Sequence, residues 1–288
     1  MRSGPSIVTV TNIDEDVLER QKRFSGWNQE TIQLSKVLVV GAGALGNEIV
    51  KGLVQLGVGH IWVVDYDRVV KSNLNRCVLF RLADAEQGEY KAVALAKHAK
   101  ELNREVSIEP IIEDIEAVDR AIYQEASLAF GALDNLDARI QLNIDCCYNS
   151  VPLVDGGIDG FLGQVQVVIP PHTPCLQCGV TERDKGFGWV HVSCGGQYED
   201  MGEQKMPAIT TLASIVAGIQ VNEALKILLG NKPTDEHKPN SSPLGSSLAG
   251  KRLFFSGYTN TLRIYDLQRN PLCEVCSTLG QGPMTGSA

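Results

Sequence analysis

Four cysteines fall into two C-x-x-C pairs, Cys175 and Cys178 in CLQC and Cys273 and Cys276 in CEVC, with 94 residues between the pairs. Four thiolates at about 2.3 Å close a tetrahedral zinc site. Neither pair lies between a first strand and its helix, so a redox C-x-x-C is disfavoured. The expected ion is structural Zn2+, pinning the C-terminal region back onto the chain.

A second set of residues suits nucleotide chemistry. Gly41, Gly43 and Gly46 make a G-x-G-x-x-G turn. Two of these glycines let backbone approach a phosphate, and the third allows close packing of helix on strand. Asp65 follows Gly46 by 19 residues and ends the next apolar run, where a carboxylate can accept from ribose hydroxyls. To this point NAD and ATP fit equally. The segment DYDRVVKSNLNRCVLFR, with Lys91 beyond it and Asp134 in ALDN, separates them. Attack at an α-phosphate must neutralise a pyrophosphate leaving group with cations and a metal ion. Asn73, Arg76, Lys91 and Asp134 meet that need, whereas hydride transfer has no evident acid or base here.

The elements that must carry these residues can be read from apolar spacing. KVLVV is a strand, NEIVKGLVQL a helix closed by Gly57, and HIWVVD a second strand, which is a βαβ unit of a parallel sheet. The alternation continues through a helix at KAVALAKHAKELN, strands at VSIEPII and SLAFGALD, and a helix at ARIQLNIDCCYN. PLVDGGIDGFLGQVQVVIP suggests antiparallel strands. Residues 179–206 form a glycine-rich crossing, PAITTLASIVAGIQVNEALKILLG a buried helix, and RLFFSGYTNTLRIYDL two strands around a turn. Residues 231–250 read as a Pro/Ser-rich linker, and 13–36 as helix, break, helix.

The chain has 288 residues, 43% hydrophobic and 21% charged, which excludes collagen-like, wholly disordered and disulfide-scaffold classes. A net charge of −8 makes nucleic acid and anionic lipid improbable partners for the surface as a whole. No apolar run reaches roughly 18 residues, and the first twenty residues lack the order of a secretory signal. A cytoplasmic protein is expected, with no membrane and no nucleic acid bound.

VLVVGAGALG, DYD after the second strand, SNLNR followed by LFR, Lys91, ALDN and the C-x-x-C pairs together resemble the adenylation domain of ubiquitin-activating enzymes and their bacterial relatives, which activate the sulfur carriers of molybdopterin and thiamine synthesis. The resemblance spans about residues 30–276, with MPAITTLASIVAGIQVNEALKIL nearer the ubiquitin-activating branch. It implies an α/β, Rossmann-like, doubly wound and mostly parallel sheet with an antiparallel C-terminal extension and a zinc knuckle. The layout would be a helical leader over 1–35, an adenylation domain over 36–276 and a tail over 277–288. That domain would have a nucleotide-binding half over 36–150 and an antiparallel, zinc-bearing half over 151–276, which includes the crossing.

The resemblance also implies roles. Asp65 would bind ribose, Asn73, Arg76 and Lys91 the phosphates, Asp134 the Mg2+, and Asp67 would be a secondary polar contact. The reaction implied is attack by the C-terminal glycine carboxylate of a ubiquitin-like protein on the α-phosphate of ATP. Homodimers of the family supply an arginine in trans, here Arg20 or Arg23. Cys194, in the crossing at HVSCGG, would receive the acyl group as a thioester for transfer to a conjugating enzyme. Two alternatives stay open: a sulfur-carrier adenylyltransferase that stops at the acyl adenylate, and a non-catalytic scaffold half of an activating complex. Cys146 and Cys147 are expected to fill the core, and Cys77 to line the site.

Overall fold

Runs of β-branched residues joined by amphipathic helices call for a sheet covered on both faces, and the computed structural model of the chain has one. It describes residues 16–179, 207–230 and 241–277. Two short helices, α1 (Glu19–Lys22) and α2 (Gln29–Leu34), lead into β1 (Lys36–Val40), α3 (Ala44–Leu56), β2 (His60–Val64), α4 (Leu82–Gln87), α5 (Lys91–Ala99) and β3 (Ser107–Ile111). Next come α6 (Arg120–Glu125), β4 (Leu128–Gly131), α7 (Leu136–Tyr148), β5 (Leu153–Asp159), β6 (Leu162–Val168) and α8 (Thr210–Leu228). A small ribbon, β7 (Ser241–Ser242) and β8 (Gly245–Ser246), precedes the hairpin of β9 (Lys251–Ser256) and β10 (Thr261–Asp266).

Eight strands make one sheet in the order β10-β9-β6-β5-β4-β1-β2-β3. From β3 to β5 all neighbours are parallel; β6, β9 and β10 extend the sheet antiparallel. Alternation along each strand divides the core between the two faces. Val37, Val39, Ile61, Val63, Leu128 and Phe130 pack with α3, α5 and α8. Leu38, Val40, Trp62, Val64 and Ala129 pack with α7 and the cysteine pairs.

The chain runs from β1 to β2 and β3 on one side and returns to β4 and β5 on the other, so strand order reverses between β1 and β4. A crevice at the carboxyl ends of these two strands is where such sheets bind ligands. Helix α3 stops at Gly57, whose φ of 75° lets its N–H reach back to the carbonyls of Leu53 and Val54.

The strands and long helices lie where the apolar pattern puts them, and three features differ. Helices α4 and α6, six residues each, have too few turns to show a period. The stretch after Val151 does not begin a separate antiparallel unit: β5 pairs parallel with β4 before β6 turns back on it. Part of the expected linker forms the β7–β8 ribbon. Helix α8, with 19 residues and a mean hydropathy of 1.2, is long and apolar enough to cross a membrane by length and composition. Its apolar residues Leu212, Val216 and Val221 are buried in the core instead.

Candidate functional site

After Val40 the chain turns through Gly41 and Gly43 into α3. Gly41 has a φ of 100°, and a Cβ there would lie 2.5 Å from the carbonyl oxygen of Ala132. A Cβ on Gly46 would run into the carbonyl of Gly41, so α3 closes on the turn only with glycine at 46, as the chain at Ala132 does only with glycine at 41. Gly43 faces open space. Asn47, fully buried, donates from Nδ2 to the carbonyls of Ala42 (2.8 Å) and Gly43 (3.0 Å). Its Oδ1 accepts from Leu79 N–H at 3.0 Å, tying the turn to the segment after Arg76. The first amides of α3 lack partners within the helix and carry its positive end, an arrangement suited to phosphate.

Asp65 follows β2. Its Oδ2 accepts from Ala42 N–H (2.7 Å) and its Oδ1 from Asp67 N–H (2.9 Å). Burial pushes this carboxyl above its ordinary range, and the Lys91 charge and the two amides offset that only in part. Lys91 opens α5 with its Nζ 2.6 Å from Asp67 Oδ2. Burial works against the ammonium, but Asp65, Asp67 and Asp134 outweigh it and raise its pKa. Asp134, exposed three residues past the end of β4, shares this field with Tyr66, whose hydroxyl is pushed up by Asp114 and Asp67. Arg76 donates to Ser72 O and to Asn75 Oδ1 (3.0 Å). Its charge, with that of Lys91, acts on the neighbouring Cys77 thiol, but burial dominates and lifts that thiol to about 11. Asn73 is buried, its Oδ1 accepting from Val70 N–H at 3.0 Å.

The expected residues Gly41, Gly43, Gly46, Asp65, Asp67, Lys91 and Asp134 thus gather at the strand-order reversal. Arg76 and Asn73 stand on the adjoining turn. Asp67, expected as a secondary contact, is the carboxylate that holds Lys91. Arg23 pairs with Glu19, and Arg20 is exposed on α1. The leader is anchored at the far end of α3, where Gln21 Nε2 donates to Leu56 O at 2.9 Å. Cys194 lies outside the described residues.

On the opposite side of the sheet the two cysteine pairs meet. Sγ separations are 4.0 Å for Cys175–Cys178, 3.6 Å for Cys175–Cys273 and 3.3 Å for Cys178–Cys276, and all four sulfurs lie within 4.8 Å of one another. Sulfurs on a tetrahedral zinc ion would stand about 3.8 Å apart, from bonds of about 2.3 Å. The quartet therefore fits Zn2+, and its spacing is too long for disulfides. A hydrogen bond donated to Cys147 holds the proton on Cys175 and pushes that thiol up, and burial does so for Cys273, so metal binding has to displace protons. Cys146 and Cys147 are core residues, as expected.

Four residues escaped the sequence reading. Asn47, Asn143, Asp155 and Gln220 are all buried polar side chains. Asp155 pairs with Arg139, which sits in the ALDNLDAR run. A polar residue in the middle of an otherwise apolar helix or strand is the only signal each leaves.

A model of the ThiF family matches residues 17–275. The molybdopterin-synthase adenylyltransferase of Escherichia coli is 30% identical over 267 residues, covering 91% of this chain and 94% of that protein. The SAMP-activating enzyme E1 of Haloferax volcanii is 32% identical over 247 residues, covering 85% and 82%. The NEDD8-activating enzyme E1 catalytic subunit of Arabidopsis thaliana is 36% identical over 158 residues, covering half of this chain and 34% of that one. Among solved structures, E. coli MccB with AMPCPP and MccA superimposes with a TM-score of 0.71 at 20% identity, covering 92% of this chain and 75% of that one. This last likeness supports the fold.

Proposed function

The chain belongs to the ThiF family, and from that premise we propose that it is an adenylyltransferase acting on the C-terminal glycine of a ubiquitin-like or sulfur-carrier protein. One observation carries the reading. Lys91, 2.6 Å from Asp67, stands in the combined field of Asp65, Asp67 and Asp134 beside a glycine turn and a helix N-terminus. A carrier carboxylate oxygen attacks the α-phosphorus of ATP, the bond to the bridging oxygen breaks, and pyrophosphate leaves with its electrons. The nucleophile is already ionised, so no general base is needed, and catalysis reduces to positioning and charge neutralisation.

In this reading Gly41, Gly43, Gly46 and the α3 amides receive phosphates, and Asp65 accepts from the ribose. Lys91 and Arg76 neutralise the departing charge, with Asn73 beside them. Asp134, an exposed carboxylate, suits Mg2+, which takes one or two carboxylates and completes its shell with phosphates and water. Mg2+ held there would supply charge neutralisation to the phosphates. Asp67 holds Lys91 until a nucleotide competes for it.

The acyl group then passes to Cys194, whose thiolate attacks the acyl carbon and releases AMP. Elimination supports this: Cys77, Cys146 and Cys147 are buried and the other four described cysteines form the quartet. Transfer to a conjugating enzyme would follow. The rival that stops at the acyl adenylate is favoured by the relatives named adenylyltransferases, which match nearly end to end. A silent scaffold half would have no need of Arg76, Lys91 and Asp134.

A homodimer fits the leader. Helix α3, with 13 residues and so about 20 Å long, separates the leader's anchor from the glycine turn, beyond the reach of Arg20 or Arg23 in the same chain. A two-fold partner could present either arginine in trans. A cytoplasmic location suits an ATP-dependent enzyme with reduced cysteines. The test is ATP–pyrophosphate exchange with candidate carrier proteins, followed by intact mass with and without thiol. Exchange that never depends on a carrier would overturn the reading.

A further inference from the structure

The segment bearing Asp134 leaves the sheet at Gly131, and that point is gripped from both faces. On one face Gln220, in the middle of α8, is fully buried and donates from Nε2 to Gly131 O (2.9 Å) and Val154 O (3.1 Å). It bridges β4 and β5 at the last residues where they pair. On the other face Asp155, held by Arg139, lies against the Gly131 α-carbon, where any side chain would collide with it.

Gln220 keeps this bridge at a cost. Its Oε1 is buried with no hydrogen-bond partner among the described residues. A leucine of similar size would carry no such unpaired group, so the position is not explained by packing. The strand end it holds is the departure point of Ala132, Leu133 and Asp134. Ala132 also bears on Gly41 across the crevice, so the carbonyl that Gln220 fixes is one peptide from the glycine turn's own neighbour.

We propose that Gln220 is a positioning residue for Asp134. By fixing the Gly131 and Val154 carbonyls it sets the angle at which residues 132–134 leave the sheet, and so the place of the Asp134 carboxylate relative to the metal of a bound Mg·ATP. The inference rests on the nucleotide reading above and adds to it a residue that touches neither nucleotide nor metal.

The test is Gln220→Leu in the full chain, with Gln220→Met as a second variant of different shape. Binding of a fluorescent ATP analogue is titrated at rising Mg2+, and amide hydrogen exchange is followed over residues 132–135. The expected result is unchanged nucleotide affinity without Mg2+, about a tenfold rise in the Mg2+ needed for half-maximal binding, and faster exchange in the segment, as for loss of an outer-shell partner. A folded variant with wild-type Mg2+ dependence overturns the proposal. So does equal loss of affinity with and without Mg2+, or failure of both variants to fold, since either makes Gln220 purely structural. If the wild-type protein shows no Mg2+-dependent nucleotide binding, the nucleotide reading itself falls and takes this inference with it.

Discussion

The backbone N–H of Leu176 donates to Asn143 Oδ1 at 2.9 Å, binding the first cysteine pair to α7. Helix α7 begins two residues after Asp134, so one rigid element runs from the edge of the candidate nucleotide crevice to the cysteine quartet. The Cys147 thiol lies 3.9 Å from the same Asn143 oxygen, on the side of Cys175.

That arrangement makes Asn143 part of the cysteine quartet's surroundings. Purified protein is expected to hold one zinc per chain, and Asn143→Ala to speed zinc loss to a chromogenic chelator by about tenfold, as for other outer-shell partners. Chelation should lower thermal stability, because a structural metal's binding free energy contributes to folding. Metal analysis finding no zinc in fresh protein would contradict both expectations.

Lys91→Ala and Arg76→Ala should each remove about 2–4 kcal/mol of transition-state stabilisation, the scale of losing a donor to developing negative charge. Asp67→Asn should be much milder, since Asp67 holds Lys91 without being required to meet the phosphate. Pyrophosphate exchange measured on the three variants checks the order. A defect in Asp67→Asn as large as in Lys91→Ala would mean that the ion pair, and not the free ammonium, is the working unit.

The glycines of the turn should separate by role. Gly46→Ala drives a methyl into the Gly41 carbonyl and is expected to cost at least the 1–3 kcal/mol typical of overpacking. Gly43→Ala meets nothing and has an ordinary negative φ, so it should leave the melting temperature unchanged while weakening ATP binding. Thermal melts with and without ATP distinguish the two. Unaltered nucleotide affinity in Gly43→Ala would place the phosphates elsewhere.

Much of the fold was legible because burial writes itself into sequence with a period. KVLVV, HIWVV and LAFG are buried on both faces, and each proved to be a parallel strand. The glycine turn, Asp65 and the C-x-x-C pairs were legible because their spacing along the chain is itself the geometry. What escaped are contacts made between distant residues. Gln220 meets Gly131 across 89 residues, and Asn143 meets Leu176 across 33. Nothing local marks such a residue except a polar side chain among apolar ones. The attachment of β5 beside β4 was likewise hidden, since glycines at 156 and 157 look like a hairpin signal. In the structure they make room for Gln220 and Arg139.

The pH dependence of nucleotide binding should carry the mark of Asp65. Burial raises its carboxyl above the usual 3.8, so the folded chain holds that proton more tightly than the unfolded chain. Its contribution to stability is present below 3.8 and is lost as pH rises through the higher folded value. Ribose binding needs the ionised carboxylate and gains over the same interval, so affinity and this part of stability move in opposite directions. ATP affinity followed from neutral pH downward should fall at a higher pH than an ordinary aspartate would give. Asp65→Asn should remove that limb, and its persistence would assign it to another group.

Burial bears on which thiol would receive an acyl group. Cys77 adjoins Arg76 and so is near the crevice, but it is 2% exposed and its thiol is lifted to about 11, which leaves almost no thiolate at neutral pH. Cys146 and Cys147 lie in the core, and the quartet is closed on itself. Cys194 is followed in the sequence by glycines at 195 and 196 and lies outside the described residues. Cys194→Ala should therefore keep carrier-dependent pyrophosphate exchange and form no thiol-labile adduct, and Cys77→Ala should keep both. Intact mass before and after thiol treatment reads the adduct directly. If wild-type protein forms no adduct at all while exchange proceeds, the enzyme stops at the acyl adenylate. If the adduct survives in Cys194→Ala and is lost in Cys77→Ala, the transfer step belongs to a thiol that must first be uncovered.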